Sequence, residues 1–169
     1  AILFRGNHQS RPLEKELQLL KITYHISGGT AFLDRGEVKD VLAWLRVIAN
    51  PDDDAAFLRA VTSPKRDVGA TTLEKLAQLA RNAHIPLSLA AQNTSYTSAL
   101  SARPAASLAE FMRLIVRLRE QSRKSPAAEI VRAVVSESGI LTQLRLETKN
   151  EALFLRRKEN LDELAQWFE

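Results

Sequence analysis

Hydrophobic positions along this chain follow two different periods. Near the start, an apolar run at residues 2–4 and an alternating apolar and polar run at 22–26 flank a segment, residues 12–20, in which Leu13, Leu17 and Leu20 share one side. The runs predict two short strands, the second ended by the pair Gly28-Gly29, because glycine punctuates strands. The segment between them predicts a helix, capped by Ser10 with Pro12 tolerated in its first turn. Strand, helix and strand in this order form a right-handed βαβ unit with parallel strands. Parallel sheets need both faces covered, yet no further βα repeat follows. Residues 1–30 are therefore expected to be the remnant of a larger α/β domain that starts before Ala1.

From Arg35 onward the period is helical. Val38, Val41, Leu42, Leu45, Ile48 and Ala49 recur at spacings of three and four, which places them on one stripe facing a core. Glu37 and Asp40 fall in the first turn, where the helix dipole favours negative charge. Asn50-Pro51 stops this helix, since a residue before proline is pushed out of the α region, and Asp52 or Asp53 can cap the next one, which runs to Val61. Further helices are expected at residues 72–83, 104–123, from Ser125-Pro126 to Gly139, 140–147 and 152–169. Between them lie a brief apolar piece, residues 87–91, and a stretch rich in serine, threonine and asparagine, residues 92–103, read as a loop or frayed helix. The expected fold is mainly α: a helical bundle over residues 31–169 preceded by a small βαβ remnant.

Composition narrows the chemistry. The 169 residues contain no cysteine, which excludes disulfides and thiolate zinc sites and suits a reducing, cytoplasmic setting. No apolar run reaches the roughly 18 residues a membrane helix needs, so no membrane partner is expected. His8, His25 and His84 stand far apart without partners at ligand spacing, and the run Asp52-Asp53-Asp54 lacks the glycine turn and distant glutamate of a calcium loop. Gly28-Gly29-Thr30 is not followed by Lys-Ser or Lys-Thr, so a phosphate-cradling loop is missing. No catalytic residue, metal or cofactor is expected in this chain. The net charge of +4 favours a polyanion as neighbour.

Two loops carry candidate chemistry. Arg5-Gly6-Asn7-His8-Gln9-Ser10-Arg11 lies between a predicted strand and a helix start, the side of a parallel sheet where ligands gather. Its arginines and amide donors suit phosphate oxygens; an ordinary capped turn is the competing reading. Pro64-Lys65-Arg66-Asp67-Val68-Gly69-Ala70-Thr71-Thr72 joins two helices. A tight glycine turn lets backbone N–H groups approach a phosphate while Lys65 and Arg66 add charge; a plain connector capped by Thr71 or Thr72 is the alternative. Arg113, Arg117, Arg123-Lys124 and Arg156-Arg157-Lys158 are secondary candidates, since charged helix faces are mostly just solvated.

Gly28, Gly29, Phe32, Arg35, Glu37, Lys39 and Asp40, then Leu45-Arg46, Asn50-Pro51-x-Asp53-Asp54, Phe57-Leu58-Arg59 and Pro64-x-Arg66-x-Val68-Gly69 together resemble the UvrD/Rep/PcrA family of superfamily 1 DNA helicases. Residues 1–11 resemble it too, with Rep-type members as the nearest likeness. The match is dense over residues 1–76 and thin afterwards, with an echo at Arg157-Lys158-Glu159-Asn160-Leu161. The resemblance implies a piece of an ATP-dependent helicase that unwinds duplex DNA: residues 1–30 from the end of a RecA-like motor subdomain, and residues 31–169 most of the helical insertion called 2B. ATP and magnesium would then belong to parts of the parent protein outside this chain. It further implies that Arg5, Asn7 and Arg11 contact single-stranded DNA, and that Lys65, Arg66, Gly69, Thr71 and Thr72 contact duplex DNA ahead of a fork, guiding or regulating unwinding. Asp67 departs from the family pattern, which often has glycine there, and an acid beside phosphates would weaken or redirect that contact. A stand-alone helical module that binds proteins is the alternative; protein partners are unknown.

Overall fold

The computed structural model describes residues 2–4, 9–24, 26 and 31–169. Over these residues the chain forms ten helices: α1 (Ser10–Leu19), α2 (Gly36–Ala49), α3 (Asp54–Thr62), α4 (Ala70–Ala83), α5 (Leu87–Gln92), α6 (Thr94–Thr97), α7 (Ala102–Ser122), α8 (Ala127–Glu137), α9 (Ile140–Glu147) and α10 (Glu151–Gln166). A single 3₁₀ turn, Phe32–Asp34, leads into α2. The mainly helical architecture matches the period of the apolar residues. Most helix ends fall where local chemistry puts them: Asn50 leaves the helical region before Pro51, the Asp53 carboxylate accepts from the Ala56 N–H at 2.9 Å, and His84 closes α4 in the left-handed conformation.

Helix α2 is the hub, packing against α3, α7, α8, α9 and α10. Its buried face is Val38, Val41, Ala43, Trp44, Val47 and Ile48, so the stripe is rotated from the expected one: Trp44 and Val47 turn inward, while Ala49 is exposed. The reason is that α2 is covered on several sides at once, and a helix at the centre of a bundle buries a wider arc than a surface helix. Trp44 meets Phe111 of α7 edge-on, ring centroids 4.9 Å apart, and Phe57 of α3 meets the same ring at 5.6 Å. These three aromatic rings join α2, α3 and α7.

Some local expectations are corrected. Among the described residues no strand forms: residues 2–4 and 22–24 are extended or irregular, and Ile2, Leu3 and Ile22 are exposed. A strand exists only through its neighbours' hydrogen bonds, and neither segment has a pairing neighbour among the described residues. The helix between them does form, as α1, but Ser10 is inside its first turn, donating to the Glu14 carboxylate at 2.8 Å rather than capping it. Pro126, not Ser125, occupies the cap position of α8, and Gly69, not a threonine, that of α4. The serine-rich stretch holds the short α6, capped by the Asn93 side chain. The pair Gly28-Gly29 lies outside the described residues.

Candidate nucleic-acid interface

The turn between α3 and α4 is fastened to the core from below. Its first residue, Ser63, donates to Asp40 at 2.7 Å and accepts from the Trp44 indole N–H at 2.8 Å through its carbonyl. Pro64 is buried, with the turn at Gly139 beside it: a Cβ on Gly139 would stand 3.4 Å from the Pro64 ring. Gly139 has φ +88°, a conformation that suits glycine, and this lets α8 pass directly into α9 next to the α3–α4 turn. The Lys65 backbone N–H donates to the Gln143 side chain on α9, leaving the Lys65 side chain exposed.

Arg66, the other basic residue of the turn, points inward. Its Nη1 donates to the carbonyls of Ala60 and Val61 at 3.2 Å each and of Pro64 at 2.8 Å; its Nη2 donates to the Ser138 carbonyl at 3.2 Å. The guanidinium also lies over the Trp44 and Phe111 rings, 4.9 and 5.1 Å from their centroids. Burial pushes its pKa down to about 10. The side chain thus satisfies carbonyls at the end of α3 that a helix terminus leaves open, and ties them to the end of α8.

Asp67 is exposed and ion-paired with Arg103 at the start of α7, Nε to Oδ2 2.8 Å. Val68 plugs into the core. Gly69 then caps α4 with φ −87° and ψ 174° and no side-chain hydrogen bond; a Cβ there would meet nothing within 4 Å. Neither the backbone angles nor the space requires glycine at this position. Thr71 is exposed and Thr72 half-buried in the first turn of α4, which carries no acidic residue. The structure therefore brings Lys65, Gly69, Thr71 and Thr72 to one outward turn and assigns Arg66 to its inner side.

The other candidate loop lies largely outside the described residues, which include neither Arg5 nor Asn7. Arg11 is on α1, where its Nη1 is 2.6 Å from Glu163 of α10 and its Nη2 donates to the Asn160 Oδ1 at 2.8 Å. Arg35 donates to the same oxygen at 2.6 Å, and the Asn160 amide donates to Glu37 at 2.7 Å. Asn160 thus connects α1, α2 and α10. Burial lowers the pKa of Arg35, with the Arg11 charge adding to the effect. Burial raises that of Glu163 against the pull of Arg11 and Arg35. The Arg11–Glu163 approach is a close charge contact without hydrogen-bond geometry, and Arg11 Nε is likewise buried without a hydrogen bond.

Several of the secondary basic residues are paired. Arg117 pairs with Glu137, Arg123 with Glu120 at 3.2 Å and Lys158 with Asp162 at 2.9 Å; Arg113 is exposed, 3.9 Å from Glu110. Reading the sequence missed Arg103 and Gln143 and gave Asn160 no role beyond the family echo, because each matters through a contact with a residue distant in the chain. Among the described residues no helix is long and apolar enough to cross a membrane, and no three metal-ligating side chains converge.

The family model for the UvrD-like helicase C-terminal domain matches residues 1–169. The chain is 38% identical over 167 residues to the ATP-dependent DNA helicase Rep of Escherichia coli, covering 99% of this chain and 25% of that protein. It is 39% identical to the ATP-dependent DNA helicase PcrA of Bacillus subtilis, over 96% of this chain and 22% of that protein. To DNA helicase II of Escherichia coli it is also 39% identical, over 98% and 23% respectively. The chain thus spans about a quarter of the length of these relatives. It belongs to the UvrD-like helicase C-terminal domain family.

Proposed function

We propose that this chain is part of an ATP-dependent DNA helicase acting in the cytoplasm, and that its own task is to hold the DNA backbone rather than to hydrolyse ATP. Residues 1–30 would be the end of a RecA-like motor subdomain, whose βαβ unit would form only against the neighbouring strands of that subdomain. Residues 31–169 would be most of the 2B-type helical insertion, which guides or regulates unwinding. ATP and magnesium would be held elsewhere in the parent protein. Arg5, Asn7 and Arg11 would face single-stranded DNA; Arg11 contributes least, its charge being already balanced by Glu163.

Duplex DNA would meet the outward turn. Lys65 supplies the exposed charge, the N–H groups at the start of α4 supply donors beside Thr71 and Thr72, and Arg66 holds the turn in shape from inside. The observation that carries this reading is Gly69: the fold does not need glycine there, whereas a phosphate approaching backbone N–H groups does. The test is Gly69→Ala. A methyl group at this position costs roughly 0.5–1 kcal/mol of stability, alanine being a poorer cap than glycine, which leaves the fold intact, and it weakens binding to duplex and forked DNA. Unchanged duplex affinity with an intact fold would overturn the assignment of the turn. A chain with no affinity for any DNA would favour the protein-interaction alternative.

A further inference from the structure

We propose that Arg103 is an additional phosphate-binding residue of this surface, held in reserve by Asp67. The proposal rests on the duplex-contact reading above. Helix α7 begins beside the α3–α4 turn, and Lys75 of α4 donates to the Ala99 carbonyl just before it. That placement puts the Arg103 guanidinium against the Asp67 carboxylate, Nε to Oδ2 2.8 Å, with the two side chains 80% and 48% exposed.

Other arginines around this part of the fold are committed inward or along their helices. Arg66 serves four carbonyls, Arg119 donates to the carbonyls of Val47 and Ile48, and Arg59 is joined to Asp40. Arg103 instead has one ion-pair partner among the described residues, and that partner is itself part of the turn. A carboxylate and a phosphate offer the same paired oxygens to a guanidinium, so Asp67 occupies the place a backbone phosphate would take. An exposed pair of this kind is weak and screened by salt. A phosphodiester carried in by the rest of the surface can therefore displace Asp67 and take over Arg103. Asp67 then acts on both sides of the exchange: it competes for the cation and repels the arriving anion, which sets how readily the turn engages duplex DNA.

The test measures binding of the 169-residue chain to a fluorescent duplex across a salt series, with circular dichroism confirming the fold of each variant. Asp67→Asn tightens binding, roughly three- to tenfold near 0.1 M salt, as expected when one more charge contact forms. Adding Arg103→Ala to Asp67→Asn removes the larger part of that gain, leaving only what relief of repulsion supplies, and lowers the slope of log affinity against log salt by about 0.9, the loss of one phosphate contact. If Asp67→Asn gives no gain, or if its gain survives Arg103→Ala in full, Arg103 is not held in reserve and the proposal falls. Lys65→Ala, measured alongside, separates the two levels. A weaker Lys65→Ala with no effect at Asp67 and Arg103 overturns only this proposal, whereas salt-independent behaviour of parent and Lys65→Ala alike overturns the duplex-contact reading as well.

Discussion

Four backbone carbonyls from the end of α3, the turn and the end of α8 converge on Arg66. Removing its guanidinium leaves these acceptors without their donor beneath a buried tryptophan, and hydrogen bonds to a charged group are worth about 1.5–3 kcal/mol each way. Arg66→Ala is therefore expected to cost about 3 kcal/mol, a fall in Tm of roughly 6–12 °C for a domain of this size. Arg66→Lys recovers little of it, because an ammonium cannot reproduce the planar fork; thermal melts followed by circular dichroism check both. The pKa of about 10 lies below the unfolded value, so the desolvation cost is present in full below pH 10 and diminishes only as pH rises past it. Stability near neutral pH is thus flat with respect to this group. In the sequence, Lys65 and Arg66 are two adjacent cations in a loop. Which of them faces outward depends on Trp44 and Phe111, brought under the turn by α2 and α7, and nothing local to the turn reports that. Gly69 is the opposite case: a glycine in such a turn invites a conformational explanation, and only its ordinary φ and the open space above it show that folding does not require it.

At the level of elements, the helices were legible because their cores repeat with the helical period, and some of their ends because caps are short-range chemistry, although Ser10, Ser125 and the threonines of α4 do not occupy the cap positions expected of them. Residues 140–147 are read correctly from neighbours alone, and of the two caps open to α3, Asp52 and Asp53, the structure selects Asp53. The rotation of the α2 stripe was not legible, since it follows from how many helices surround α2. Strand assignments at residues 2–4 and 22–26 depend on partners that local sequence does not contain. Helix α10 tests the capping argument. The Asn150 side chain accepts from the N–H groups of Ala152 and Leu153 at 2.9 and 3.4 Å. Asn150→Ala should cost about 1 kcal/mol, a Tm lower by roughly 2–4 °C, while Asn150→Asp keeps the acceptor and should stay near the parent.

For the whole molecule, α10 returns to α1, and the Arg11–Glu163 contact with the Asn160 hydrogen bonds fastens one to the other. Burial holds the Glu163 pKa above its ordinary value of 4.5, so the folded chain binds this proton more tightly than the unfolded chain. The stability Glu163 gains from its proton is complete below pH 4.5 and is lost as pH rises through the raised pKa. Relative to Glu163→Gln, which cannot ionise, the parent should therefore lose stability as pH rises from about 4.5 toward neutrality and then level off; paired denaturation curves at several pH values check the trend. The duplex contact proposed for the α3–α4 turn rests on its exposed cation, Lys65. Its most direct test is the salt dependence of duplex binding by the parent chain and by Lys65→Ala. Phosphate contact predicts affinity that falls steeply with salt for the parent, and a slope smaller by about 0.9 for Lys65→Ala whatever the duplex sequence. Equal slopes for the two, or a parent that does not bind duplex DNA, would contradict it.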